Sequence, residues 1–168
     1  MTSPAKLPAR PGKKPVAREI NTYLDAVRHA RGPHAYVSLL GLSTYDTKSL
    51  HAKLQKGLPF PAFERLMALM ELPLQSAAEI LLIPQRTLHR RKAAGRLEPD
   101  ESNRVVRLSR IFGKALELFE GDHAAALEWL ESPAKALGGE APLMMSQTEA
   151  GALEVDRLIG RLEHGVFT

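Results

Sequence analysis

The chain contains no cysteine among its 168 residues, which excludes disulfides, zinc ribbons, iron–sulfur clusters and thiol nucleophiles together. It also lacks any uninterrupted apolar run near the roughly 18 residues that a membrane-spanning helix needs. The first fourteen residues are basic and proline-rich without an apolar stretch, which is not the pattern of a secretory signal. These absences predict a cytoplasmic protein with no membrane partner.

Sequence patterns typical of enzymes are missing as well. No pair of the six histidines has the His-Glu-x-x-His spacing of a zinc-binding helix, and there is no Gly-x-Ser-x-Gly element. No glycine fingerprint for a dinucleotide follows a strand pattern. We therefore expect no enzyme, and predict no catalytic residue, no metal and no cofactor.

Charge is distributed unevenly along a chain of ordinary soluble composition, with 44% hydrophobic and 25% charged residues. Residues 1–33 and residues 34–97 each carry a net charge of +5, whereas residues 98–168 carry −6. A basic front joined to an acidic back predicts two partners of opposite charge. Nucleic acid is the obvious candidate partner for the basic part.

The hydrophobic pattern predicts an all-α fold. Apolar residues recur at three- and four-residue steps between glycine and proline breaks, and the pattern gives little sign of strands. We divide the chain into a disordered basic tail (1–15), a basic helical domain (16–97) and an acidic helical domain (98–168). The tail could contact phosphates or serve only solubility. An apolar stripe at positions 105, 108, 112, 115 and 119, with the apolar last helix, favours a homodimer.

The segment from Gln75 to Lys92 reads as two short helices joined by a tight turn. Its second helix projects polar and basic side chains suited to phosphates and base edges in the major groove. These predicted DNA-binding residues are Gln85, Arg86, His89, Arg90 and Lys92. Leu82 stands where such turns usually have glycine, and a left-handed conformation would strain it. The alternative is an ordinary helical hairpin with a solvated basic face.

The acidic part resembles a known family over about 70 residues. The run from Gly95 to Ser102, followed by Arg104 and Arg107, resembles the start of the toxin-binding domain named after Xre, MbcA and ParS. The resemblance continues through Ala115, Leu118-Phe119, Gly121, Ala126, Trp129-Leu130, Pro133, Leu137-Gly138-Gly139, Pro142, Thr148-Glu149, Gly151, Val155, Leu158 and Gly165. The preceding run from Ile83 to Lys92 is similar to the family's Xre-type helix-turn-helix.

This resemblance implies a type II toxin–antitoxin module. Antitoxins of the family bind toxins with a RES domain, which consume NAD, and the complex commonly represses its own operon. The implied fold is an Xre-like helix-turn-helix domain followed by a small helical toxin-binding domain. The implied partners are a RES-domain toxin and operator DNA. The alternatives are a helix-turn-helix regulator without a toxin and a purely structural interaction domain.

The last segment, residues 148–168, is predicted to block the toxin. It is acidic, it matches the family pattern, and an anion-binding NAD pocket would attract its carboxylates. The predicted toxin-binding residues are Glu149, Glu154, Asp156, Arg157, Arg161, Glu163, Val166 and Phe167. The alternative is that this helix only closes the C-terminal core.

Overall fold

The computed structural model describes residues 13–165. Residues 1–12, which hold most of the predicted tail, and residues 166–168, which hold Val166 and Phe167, lie outside the described range. The first helix begins at Lys13, inside the segment predicted as a tail. The helices are α1 (Lys13–Arg28), α2 (Thr47–Lys56), α3 (Phe60–Leu69), α4 (Leu74–Leu81), α5 (Gln85–Ala94), α6 (Pro99–Leu118), α7 (His123–Glu131), α8 (Pro142–Met145) and α9 (Glu149–Glu163).

The predicted all-α fold is confirmed for the described part of the chain. Two short 3-10 helices, Ala35–Leu40 and Lys135–Leu137, accompany the α-helices. The only β-type pairing between 13 and 165 is one isolated antiparallel bridge between Pro59 and Arg96. None of the described helices is both long and apolar enough to cross a membrane.

Helix α6 is the centre of the packing. Helices α1, α2, α4, α7 and α9 and the 3-10 helix Ala35–Leu40 all contact it. Its first turn carries a reciprocal capping box between Glu98 and Glu101, which satisfies N–H groups that have no partner within the helix. Because helices surround α6 on several sides, its apolar residues are buried against its own chain.

The stripe that favoured a homodimer is buried within the single chain. Val105, Phe112 and Ala115 are completely inaccessible, Leu108 is buried, and Phe119 packs partly buried against Trp129. This stripe therefore offers no free apolar face to a second copy. The homodimer itself stays a prediction, but it needs another interface.

Candidate functional site

Helices α4 and α5 form the tight helical pair that the sequence predicts between Gln75 and Lys92. Leu81 and Ile83 flank the turn and are buried, and Leu88 is the one buried residue of α5. Pro84 precedes α5, and Gly95 ends it in a left-handed conformation. Because α5 rests on the core through one side chain, nearly its whole surface is left to solvent.

Leu82 takes the left-handed conformation that glycine usually supplies, with φ 52° and ψ 43°. Its N–H donates to the carbonyl of Glu79 at 3.2 Å, and the next N–H donates to Ala78 at 3.0 Å, which caps α4. Arg104 of α6 donates to the Leu82 carbonyl at 2.9 Å and pairs with Asp100 at 2.8 Å. The turn therefore forms despite the strain, with α6 holding it.

The predicted DNA-binding side chains share one exposed face of α5. All five positions, Gln85, Arg86, His89, Arg90 and Lys92, are exposed, and the helical period places them within one arc. Lys92 already pairs with Glu64 at 2.8 Å. Arg86 and Arg90 have no partner among the described residues, so they are the cations on this face that are free for a phosphate.

Arg91 ties α5 to α6 and was not among the predicted site residues. Its Nε donates to Oε2 of Glu101 at 2.8 Å and its Nη2 donates to Oε1 at 2.9 Å, while Glu98 lies 3.3 Å from its Nη1. The hydrogen bond to Glu101 raises the pKa of Arg91. Since Glu101 is buried, this bidentate pair fixes the direction in which α5 points.

The far end of α5 is anchored on the loop between α2 and α3. The N–H of Leu97 donates to the carbonyl of Leu58 at 2.9 Å, and the N–H of Leu58 donates to the hydroxyl of Ser102 at 2.8 Å. Gly57 has φ 78°, and a Cβ there would lie 1.9 Å from the carbonyl oxygen of Leu97. Only glycine allows this close approach, which sets the position of the end of α5.

A cleft of about 960 Å³ runs along α3, α5 and α7 beside the predicted DNA-binding face. Its floor is apolar and includes Phe63 and Met67, and Glu128 of α7 lies on its wall. Among the predicted DNA-binding residues it is lined by His89 and Lys92. These two side chains therefore belong both to the cleft and to the exposed face of α5.

Helix α9 packs lengthwise on α6. Val155, Leu158 and Ile159 form its buried side, and Thr148 begins it by accepting a hydrogen bond from the N–H of Gly151 at 3.1 Å. As a firmly packed element, it presents only its outer side to a partner. The alternative, that this helix closes the C-terminal core, therefore describes its inner side.

Two of the predicted toxin-binding carboxylates pair with α6. Asp156 is 14% exposed and lies 3.1 Å from Lys114 and 3.4 Å from Arg110. Glu149 is also close to Arg110, at 3.2 Å, and it lies 3.7 Å from Arg107. Both carboxylates therefore hold α9 against α6.

Of the other predicted toxin-binding side chains in the described range, Glu154, Arg157 and Arg161 lie on the outer side of α9. Glu163 follows Asp156 by seven residues and therefore lies along the same edge of the helix as Asp156. Glu154 and Arg157 pair with each other, Glu163 is exposed and Arg161 is half-buried.

Leu153 lies on the outer side and is 43% exposed, and it was not among the predicted site residues. The sequence signal that could have found Leu153 is that it is an apolar residue outside the apolar side formed by Val155, Leu158 and Ile159.

The segment before α9 is tied back to α4. Arg107 donates to the carbonyls of Ser146 at 3.0 Å and Gln147 at 2.6 Å, and burial lowers the pKa of its guanidinium. The Gln147 side chain in turn donates to the carbonyl of Glu79 at 3.1 Å. The helical pair and α9 are therefore joined through α6 and a short chain of hydrogen bonds.

Two family models match the chain in succession. The antitoxin Xre-like helix-turn-helix domain matches residues 49–110, and the antitoxin Xre/MbcA/ParS C-terminal toxin-binding domain matches residues 114–165. The first range contains the helical pair, and the second contains α9.

Curated proteins that are similar to the chain include antitoxins from three different genera. An antitoxin Xre of Yersinia enterocolitica is 50% identical over 95 residues, which cover 54% of this chain and 64% of that protein. An antitoxin Xre of Photorhabdus laumondii is 34% identical over 130 residues, 77% of this chain and 88% of that protein. A Prs ADP-ribosylating antitoxin of a Sphingobium species is 26% identical over 144 residues, 80% of this chain and 89% of that protein. The chain belongs to the antitoxin Xre family, with a helix-turn-helix domain followed by a toxin-binding domain.

Proposed function

We propose that this chain is the antitoxin of a type II toxin–antitoxin system. It binds and inhibits a RES-domain toxin that consumes NAD, and it represses its own operon in the cytoplasm. The observation that carries the proposal is that α5 and α9 each keep an exposed polar face, while α6 holds α9 by packing and α5 through the Arg91–Glu101 pair. One protein can therefore serve operator DNA and a toxin with separate surfaces.

The DNA-binding half of the proposal depends on α5. Its exposed face offers Gln85 for adenine edges and the unpaired Arg86 and Arg90 for phosphates or guanine edges. A homodimer would place two such helices about 34 Å apart, one turn of the duplex. Sedimentation of the full chain at tens of micromolar tests the dimer, since a single species near 18.5 kDa would contradict it.

The test for DNA binding is the double substitution Arg86→Ala with Arg90→Ala. Each lost phosphate contact removes about 0.9 from the slope of log affinity against log salt, so the pair should reduce the slope by about 1.8. The matched control is Arg157→Ala with Arg161→Ala on α9, which changes the net charge equally. Operator affinity should collapse in the first variant and hold in the second, and equal behaviour of both would contradict a role for α5.

The toxin-binding half of the proposal depends on the outer side of α9. Glu154, Arg157 and Arg161 are the predicted residues that face outward there. The exposed Glu163 lies on the edge of the helix near its end, and Val166 and Phe167 follow in the sequence. Glu149 and Asp156 support this surface by pairing with α6. The name of the Sphingobium relative joins an antitoxin to ADP-ribosylation, a reaction whose donor is NAD, and this supports an NAD-consuming partner.

The test for toxin binding is deletion of residues 163–168, which leaves the buried side of α9 intact. We expect a folded, DNA-binding protein that no longer protects cells from the product of the adjacent reading frame. If the deletion keeps full protection, the inhibitory contact lies elsewhere. If that product is not a toxin and does not bind the full chain, the alternative of a regulator without a toxin replaces the proposal.

A further inference from the structure

Leu82 has two unfavourable features at once. It adopts a left-handed backbone conformation that glycine adopts without strain, and its side chain is 54% exposed. Leu82 and Leu153 are the large apolar side chains that stand exposed in residues 13–165. Because the exposed part of the Leu82 side chain buries nothing within the described chain, the structure points to a contact with another molecule.

The turn at Leu82 adjoins the segment that leads into α9. The carbonyl of Glu79 accepts hydrogen bonds from the N–H of Leu82, at 3.2 Å, and from the side chain of Gln147, at 3.1 Å. One turn apart on α6, Arg104 donates to the carbonyl of Leu82 and Arg107 donates to the carbonyl of Gln147. We call this line of contacts between α4 and α9 the seam.

Leu153 lies close to the other end of the seam. It follows Glu149 by four residues and therefore lies near the same side of α9. Glu149 pairs with Arg110 at 3.2 Å, and Arg110 follows Arg107 by one turn of α6. The two exposed leucines thus border one continuous surface that crosses from the helix-turn-helix to the toxin-binding domain.

We infer that the toxin contact extends from α9 across the seam and that the Leu82 side chain enters an apolar pocket of the toxin. The inference rests on the proposed function and assigns to toxin binding a residue outside the matched toxin-binding range of 114–165. The inference is supported by the continuity of this surface with the outer side of α9, because a protein that covers Leu153 and the start of α9 would also contact the seam. A helix-turn-helix residue then helps to determine which toxin the antitoxin recognises.

Two other occupants fit this surface less well. Glu79 lies three residues before Leu82, and its exposed carboxylate would repel the phosphates of a duplex. A second copy of the chain would need a total buried area of about 1,200 Å² or more for a stable dimer. Two leucine side chains supply only a small part of that area.

The test is Leu82→Gly in the full chain, with the product of the adjacent reading frame as the toxin. Glycine relieves the left-handed strain, so Tm should stay level or rise by up to about 4 °C. Loss of a buried leucine contact should weaken toxin binding about tenfold or more, with operator affinity unchanged. Leu82→Asn also tolerates this conformation and should behave in the same way.

Leu153→Ala separates the inference from the proposed function. If Leu153→Ala weakens toxin binding while both Leu82 variants bind as tightly as the parent, the inference is overturned and the proposed function stands. If the parent chain does not bind the toxin, both fail. A lower Tm in both Leu82 variants, or a loss of operator binding without a loss of toxin binding, also overturns the inference.

Discussion

Asp156 and Glu154 lie two residues apart on α9, and the structure predicts opposite consequences for neutralising them. Asp156 is 14% exposed and pairs with Arg110 and Lys114, whereas Glu154 is 47% exposed and pairs with Arg157 on its own helix. The sequence treated both as toxin contacts. The pair Asp156→Asn and Glu154→Gln therefore compares an inward with an outward carboxylate at equal change of charge.

The size of the effect follows from the burial of each pair. Exposed ion pairs contribute about 0–1 kcal/mol, and breaking a fully buried one costs about 3–5 kcal/mol. Asp156 falls between these limits, so we expect Asp156→Asn to lose about 2 kcal/mol of unfolding free energy. For a chain of this length that corresponds to a fall in Tm of about 4–8 °C. The Glu154–Arg157 pair lies within one helix, where such pairs contribute about 0.2–0.5 kcal/mol, so Glu154→Gln should shift Tm by less than about 2 °C.

Thermal unfolding and toxin affinity, measured on the same samples, distinguish the roles of the two residues. We expect Asp156→Asn to lower Tm, and Glu154→Gln to weaken toxin binding without lowering Tm. If Asp156→Asn weakens toxin binding tenfold while Tm stays within 1 °C of the parent, the reasoning from its ion pairs is refuted. Asp156 would then be a direct toxin contact, as the sequence suggested.

Two further predictions concern buried hydroxyl groups. Ser102→Ala leaves the N–H of Leu58 without its 2.8 Å acceptor in the core. Urea unfolding should therefore show that the free energy of unfolding falls by about 1–3 kcal/mol. A fall of less than about 0.5 kcal/mol would count against this hydrogen bond. Burial and the hydrogen bond to Glu117 raise the pKa of Tyr23, so the folded chain keeps a proton that the unfolded chain releases above about pH 10. The free energy of unfolding should therefore be unaffected by this group below about pH 10 and should fall above it. The fall should be less steep in Tyr23→Phe, and the same pH dependence in the parent and in Tyr23→Phe between about pH 9 and 11 would contradict this.

Local signals in the sequence account for the parts of the fold that were predicted well. Pro84 and Gly95 bound α5 because proline favours the start of a helix and glycine supplies the left-handed cap at its end. The exposure of Arg86 and Arg90 followed from the same segment, since one apolar residue, Leu88, marks the buried side. The bounds of α5 and the exposure of its side chains depend on residues that are close in the sequence, so the order of residue types indicates them directly.

The sequence does not show which charged residues pair across different helices. Arg91 and Glu101 stand on different helices, and each looks like an ordinary surface charge until the turn between them brings the two together. Asp156 was predicted to contact the toxin because it is a carboxylate in the acidic last segment, and helical periodicity separates only apolar from polar sides. It does not show which polar residues meet cations of the next helix. α8 has only four residues, too few for a periodic signal.

Helix α6 makes the two surfaces parts of one structure. The first family model ends at residue 110 and the second begins at residue 114, and both limits fall inside this unbroken helix of 20 residues. Arg104 holds the turn before α5, and Arg107 and Arg110 hold the start of α9, within two turns of the same helix. A rigid helix transmits a shift at one end to the other. We therefore expect a toxin that moves α6 when it binds α9 to shift also the Arg104 contact that supports the turn before α5.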